Sequence, residues 1–285
     1  MPYLLLATFL WGTSFVAGKY AIAMADAAWV VLFRLLIAAC CTLPASIRFL
    51  RHHRLSRAQC KALLLLALLT YPVTFLLQFI GLQHTSAASA TTMIGLAPLM
   101  VILVGHYCFH KTASARIWLL GAVAFLGVFL LVGGSPRGEV STFGCALVFI
   151  STIVAAFWVH LSVPMLMEIG SRAYTALTLQ LGALLTLTPA LWLAHGTPIR
   201  WSASGIAAIV YLGLGCSLLA AWAWNRGLQD VPAERSGIFL AQEPAFGVLL
   251  AVVCLSERLA PSAALGVLLV LSAAAVAMMP PRERA

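Results

Sequence analysis

The chain has 285 residues, of which 62% are hydrophobic and 9% charged, and a net charge of +9. A soluble domain carries about 25% charged residues, so this much apolar surface excludes a single water-soluble core and makes lipid the solvent. The basic residues sit in short gaps between apolar runs, with no aromatic–basic surface and no zinc-ligand spacing, which excludes nucleic acid as a partner and fits charge-biased membrane topology.

Ten apolar segments of spanning length follow one another: 2–22, 27–47, 61–83, 86–108, 116–133, 141–162, 172–194, 203–225, 232–254 and 262–280. Each runs for roughly 20 residues without polar alternation, so they are expected to be α-helices rather than barrel strands. Only helices and closed barrels satisfy their backbone in lipid.

The first segment contains Trp11 and ends near Lys19; no basic residue precedes it, so it reads as a retained helix rather than a cleaved signal. The second carries Arg34, too deep for easy snorkelling to the interface. The basic loop that follows includes His52 and His53, which read as a solvated turn.

In the third segment Tyr71, Phe75 and Gln78 lie four and three residues apart, on one helix face. A ring-plus-amide face suits a ligand with apolar and polar parts, although aromatic stripes at this spacing also serve packing. The fourth holds Thr91, Thr92 and an interior Pro98. The fifth is marked by Gly121, Gly127 and Gly133 and reads as scaffold, as does the alanine-rich tenth, because small residues let helix backbones approach in lipid. A turn-rich break, 133–138, follows the fifth.

Trp158 lies in the sixth segment, Gln180 in the seventh, and Trp222 and Trp224 in the eighth. The ninth carries Gln242, Glu243 and Pro244 in succession. An acid at mid-membrane costs about 2.5–3.5 kcal/mol on insertion scales, so Glu243 is a functional-site candidate by default. The alternative is a structural role, protonated or paired with Arg34. Pro98 and Pro244 are expected to kink their helices, as static packing features or as flexible walls of a cavity.

An internal repeat organises these features. Gly81-Leu82-Gln83 returns 146 residues later as Gly227-Leu228-Gln229, and in that register Ala87 meets Ala233, Pro98 meets Pro244, Leu103 meets Leu249 and Cys108 meets Cys254. The chain therefore reads as two five-helix halves, 1–137 and 138–285. An odd number of helices per half obliges the second copy to enter from the opposite side, giving an inverted repeat of the kind secondary transporters use. Twelve basic residues fall in the segments on one side and four on the other, which places both termini in the cytoplasm.

Seven cysteines form no Cys-x-x-Cys pair and no metal-ligand spacing. No nucleotide-binding, zinc-protease or serine-hydrolase fingerprint occurs, so neither a catalytic centre, a metal, a cofactor nor an attached ATPase is expected.

Leu10-Trp11-Gly12-Thr13-Ser14-Phe15, Phe33-Arg34-Leu35-Leu36 and Glu243-Pro244-Ala245-Phe246 followed by Ser256-Glu257-Arg258-Leu259 resemble motifs of the first, second and ninth helices of EamA-type carriers in the drug/metabolite transporter superfamily. The likeness spans nearly the whole chain. It departs in Ser-Phe-Val-Ala after Trp-Gly and in Leu-Ser-Glu for the usual Leu-Gly-Glu. Within the family the layout, with Trp11, Tyr71 and Trp158, looks like the YddG-type exporters of aromatic amino acids.

The resemblance implies an all-α, inner-membrane exporter of small metabolites, with amino acids of apolar or aromatic side chain foremost, working by alternating access around a midplane site. In that reading Trp11, Tyr71, Phe75, Trp158 and Trp222 contact the apolar part of the substrate, Gln78, Gln242 and Glu243 its polar groups, and Arg34, Pro98 and Pro244 shape or gate the site. Multidrug and other metabolite carriers are the alternatives, a channel a more distant one. Phosphorylated substrates would need several deep basic residues, and only Arg34 is deep.

Overall fold

The computed structural model describes residues 2–110, 115–134, 141–231, 236, 239–240, 242–256 and 260–278. These form helices and short connections, with no β-strand among the described residues. The helices are α1 (Pro2–Ile22), α2 (Ala27–His52), α3 (Arg57–Leu68), α4 (Thr74–His84), α5 (Ala87–Ile94), α6 (Ala97–Phe109), α7 (Ala115–Gly134), α8 (Thr142–Leu193), α9 (Ala203–Tyr211), α10 (Ala220–Leu228), α11 (Glu243–Leu255) and α12 (Pro261–Met278). Six helical stretches among the described residues are long and apolar enough to cross a membrane: α1, α2, Arg57–His84, Ala87–Phe109, α8 and Ala203–Leu228.

Local chemistry sets the helix starts. Asp26 accepts a hydrogen bond from the Ala28 amide at α2, and Ser56 forms a capping box with Gln59 at α3. Ser86, Ser141 and Ser202 cap α5, α8 and α9 in the same way. Each satisfies an amide that the helix itself leaves unpaired.

Two joins are wider than an α-turn. Leu69–Val73, between α3 and α4, and Leu212–Leu219, between α9 and α10, are π-helical. In the first, Pro72 has no N–H to give, and the wide turn accommodates its ring without ending the helix.

The spacing predicts separate helices over 141–162 and 172–194 with a loop between them. The helix instead continues to Gly170, whose φ of 79° and ψ of 157° break it within one long element. That backbone region is essentially reserved for glycine and costs other residues about 1–3 kcal/mol. A Cβ there would meet open space, so Gly170→Ala should destabilise through backbone strain alone. Thermal unfolding in detergent should show a lowered midpoint; an unchanged one would mean the break can be relocated.

Pro98 and Pro244 do not kink continuous helices. α5 ends at Ile94, a turn at Gly95 and Leu96 follows, and Pro98 sits in the first turn of α6; Pro244 sits likewise in α11. Proline fits there because the first amides of a helix are unpaired anyway. Further features recur at the 146-residue offset. α6 and α11 begin at Ala97 and Glu243 and are capped by His110 and Ser256, each with φ 53°. The π-turn at 69–73 maps onto 215–219, inside the second π segment.

One buried cluster joins α2, α4, the end of α8 and α9; another joins α1, α3, α6, the middle of α8 and α10. α7 and α12 pack on each other, and Arg116 of α7 donates to the Val276 carbonyl of α12. No described residue of either helix lines the cavity described next.

Candidate functional site

A narrow cavity of about 80 Å³ opens between α1, α2, the α3–α4 span, α6, α8, α10 and α11. Trp11, Tyr71, Phe75, Gln78, Trp158 and Glu243 line it together with Arg34. Helices far apart in sequence thus bring six of the eight expected contact residues to one place.

Tyr71 belongs to the first π-turn and is buried. Its ring lies against the bare backbone of Gly182, where any Cβ would collide with the ring, and its hydroxyl is 3.5 Å from Thr178 Oγ1. Phe75 packs edge-on to Tyr71 at 5.7 Å. Trp11 donates its indole N–H to the Cys216 carbonyl, 3.0 Å away inside the second π segment. Trp158 donates to the Tyr174 hydroxyl at 3.3 Å. Trp11, Tyr71 and Trp158 thus each have their polar atom within reach of a partner, as buried Tyr and Trp side chains usually do.

Arg34 is buried yet faces the cavity. Its Nε donates to Ser217 Oγ at 2.7 Å. The guanidinium carbon lies 4.4 Å from the Phe75 ring centre and 5.0 Å from that of Phe79. Cation–π contact and one hydrogen bond stabilise the charge. The Arg34–Glu243 pair left open by the sequence does not form: the only ion pair among the described residues is Arg226–Asp230.

Glu243 is buried, lines the cavity and makes no side-chain hydrogen bond to a described residue. It is the first residue of α11. Its position depends on two glycines. A Cβ on Gly12 would fall 2.7 Å from the Glu243 carbonyl oxygen, and one on Gly247 would fall 2.8 Å from the Gly12 carbonyl oxygen and collide with Thr91 Cγ2. α1 and the first turns of α11 therefore touch backbone to backbone.

Trp222 and Gln242 do not line the cavity. Trp222 is half-buried and packs edge-on against Tyr3 at 5.6 Å. Gln242 is half-buried at the N-cap of α11. Trp224 takes the inner position instead, fully buried, 5.3 Å from Trp11 and 6.5 Å from Trp158. The signal for this was the helical period: Trp224 stands three residues after cavity-lining Ala221, on the same face.

Ser217 was missed because its partner lies 183 residues away. Cavity-lining Thr70, Thr74 and Thr152 were missed as well; their hydroxyls donate to carbonyls of their own helices. Gln180 binds the Ala39 carbonyl and Thr42, joining α8 to α2 away from the cavity. No group of metal-binding side chains occurs among the described residues.

Comparison with known proteins accords with this architecture. The EamA-like transporter family matches the chain twice, over residues 1–133 and 142–279. An uncharacterized transporter of Haemophilus influenzae is 39% identical over 145 residues, half of this chain and 85% of that protein. The uncharacterized inner membrane transporter YicL of Salmonella typhimurium is 26% identical over 299 aligned residues, covering 100% of this chain and 97% of its own. A solved structure at 18% identity shares the fold, with a TM-score of 0.70 over 96% of this chain and 94% of its own. The paired match and its extent establish that this multi-pass membrane protein belongs to the EamA-like transporter family.

Proposed function

We propose that the chain exports small amphiphilic metabolites, aromatic and apolar amino acids foremost, from the cytoplasm across the inner membrane. Ten spans form two inverted five-helix repeats, 1–137 and 138–285, with both termini cytoplasmic. The repeats rock to open the central cavity to either side in turn. Trp11, Tyr71, Phe75 and Trp158 hold the apolar part of the substrate, and Gln78 and Glu243 meet its polar groups. Gln242, at the N-cap beside Glu243, and Trp222, one position from the cavity wall, are expected to join this set as the repeats move.

The observation that carries this reading is a cavity lined by four aromatic side chains, one arginine and one glutamate. It is supported by the broken-helix geometry shared by α6 and α11, because paired interrupted helices mark the substrate sites of transporters built from repeats.

The test is uptake by the purified chain in liposomes, with labelled amino acids, cationic drugs and sugars, with and without a pH gradient. Saturable uptake and counterflow of aromatic amino acids is expected. Flux that never saturates and shows no counterflow would identify a channel, and preference for drugs or sugars would reassign the substrate.

A further inference from the structure

The cavity is lined by a guanidinium and a carboxyl group that form no ion pair with each other. Arg34 spends its Nε on Ser217 and its face on Phe75 and Phe79. Its two Nη atoms donate to no described residue, and the same cavity is lined by Glu243, whose carboxylate is likewise unmatched among the described residues. Charges removed from water are costly unless paired and hydrogen-bonded. The two stand on α2 and α11, and the rings of Tyr71, Phe75 and Trp158 line the same cavity.

We infer that Arg34 is the carboxylate-binding residue of the site and that Arg34 and Glu243 together select a zwitterion, an α-amino acid whose carboxylate meets the Arg34 Nη edge and whose ammonium meets Glu243. This rests on the reading of the cavity as the substrate site. The guanidinium suits the role because its planar donor fork grips a carboxylate with two parallel hydrogen bonds, and Ser217 already fixes its orientation. A molecule carrying only one of the two charges would leave the other buried and unmatched. Sites built around buried polar partners reject analogues that leave those partners unpaired by large factors.

The experiment is counterflow into liposomes with three labelled probes that share a benzyl side chain: phenylalanine, phenethylamine, which lacks the carboxylate, and 3-phenylpropionate, which lacks the ammonium. The wild-type chain should exchange phenylalanine at least tenfold faster than either analogue. Arg34→Gln should reverse the preference toward phenethylamine, Glu243→Gln should reverse it toward 3-phenylpropionate, and Arg34→Lys, which keeps the charge without the fork, should recover part of the phenylalanine exchange. The wild-type panel decides the matter even if a variant fails to fold. Exchange of all three probes at similar rates overturns the zwitterion assignment and leaves the aromatic cavity standing. Exchange of none, by a folded protein that carries other metabolites, overturns the amino-acid reading itself.

Discussion

Gly12→Val should lower the thermal unfolding midpoint in detergent by several degrees and cut liposome uptake at least tenfold. The first added carbon would lie 2.7 Å from the Glu243 carbonyl oxygen and 3.0 Å from Phe246 Cβ. A backbone oxygen cannot swing aside as a long side chain can, so the start of α11 must move away from α1. Overpacking of this kind costs about 1–3 kcal/mol. The movement also shifts Glu243 relative to Trp11, and that displacement is what uptake reports. Gly247→Val should behave alike, since its first carbon meets the Gly12 carbonyl and Thr91 from the opposite side. If both variants keep wild-type unfolding and uptake, the close contact of α1 with α11 does not govern the site.

Alanine at Tyr71 and Trp158 together should reduce aromatic amino-acid uptake at least tenfold, which corresponds to about 1.4 kcal/mol of lost interaction. Both side chains are buried, so each truncation also opens a void, with a stability cost of about 3–5 kcal/mol for a large aromatic ring. Tyr71→Phe and Trp158→Phe separate the two effects. Each keeps a ring in the cavity while removing the contact with Thr178 or Tyr174. Those single variants should stay folded and retain most uptake. Uptake unchanged in the folded double alanine variant would place the substrate elsewhere.

The parts of this arrangement legible in the sequence were those written in local spacing. The lipid-facing class followed from composition, and the shared face of Tyr71, Phe75 and Gln78 from helical period; all three line one cavity. Glu243 stood out because an acid deep in an apolar run has an energetic cost on its own account. What depended on distant partners was not legible. The depth of Arg34 is legible, but its partner Ser217 lies in another helix, so the sequence alone does not distinguish shaping the site from lining it. The choice between Trp222 and Trp224 turns on how α10 is rotated, and the π segment just before it resets that rotation. The sequence predicts a kink at Pro98 where the structure has a break, because proline signals disruption without saying whether the chain bends or stops. The helix running to Gly170 was not legible because Pro164 and Glu168 read as a connection, and only the backbone dihedrals of Gly170 mark the end.

Ala97 and Glu243 open helices of the same form at matching positions, yet one offers a methyl group and the other a carboxylate. With carboxylates at both, a guest's ammonium would have two equivalent partners, a degeneracy of position. A single carboxylate lifts that degeneracy. A substrate whose ammonium meets Glu243, as proposed, therefore finds no second carboxylate at position 97.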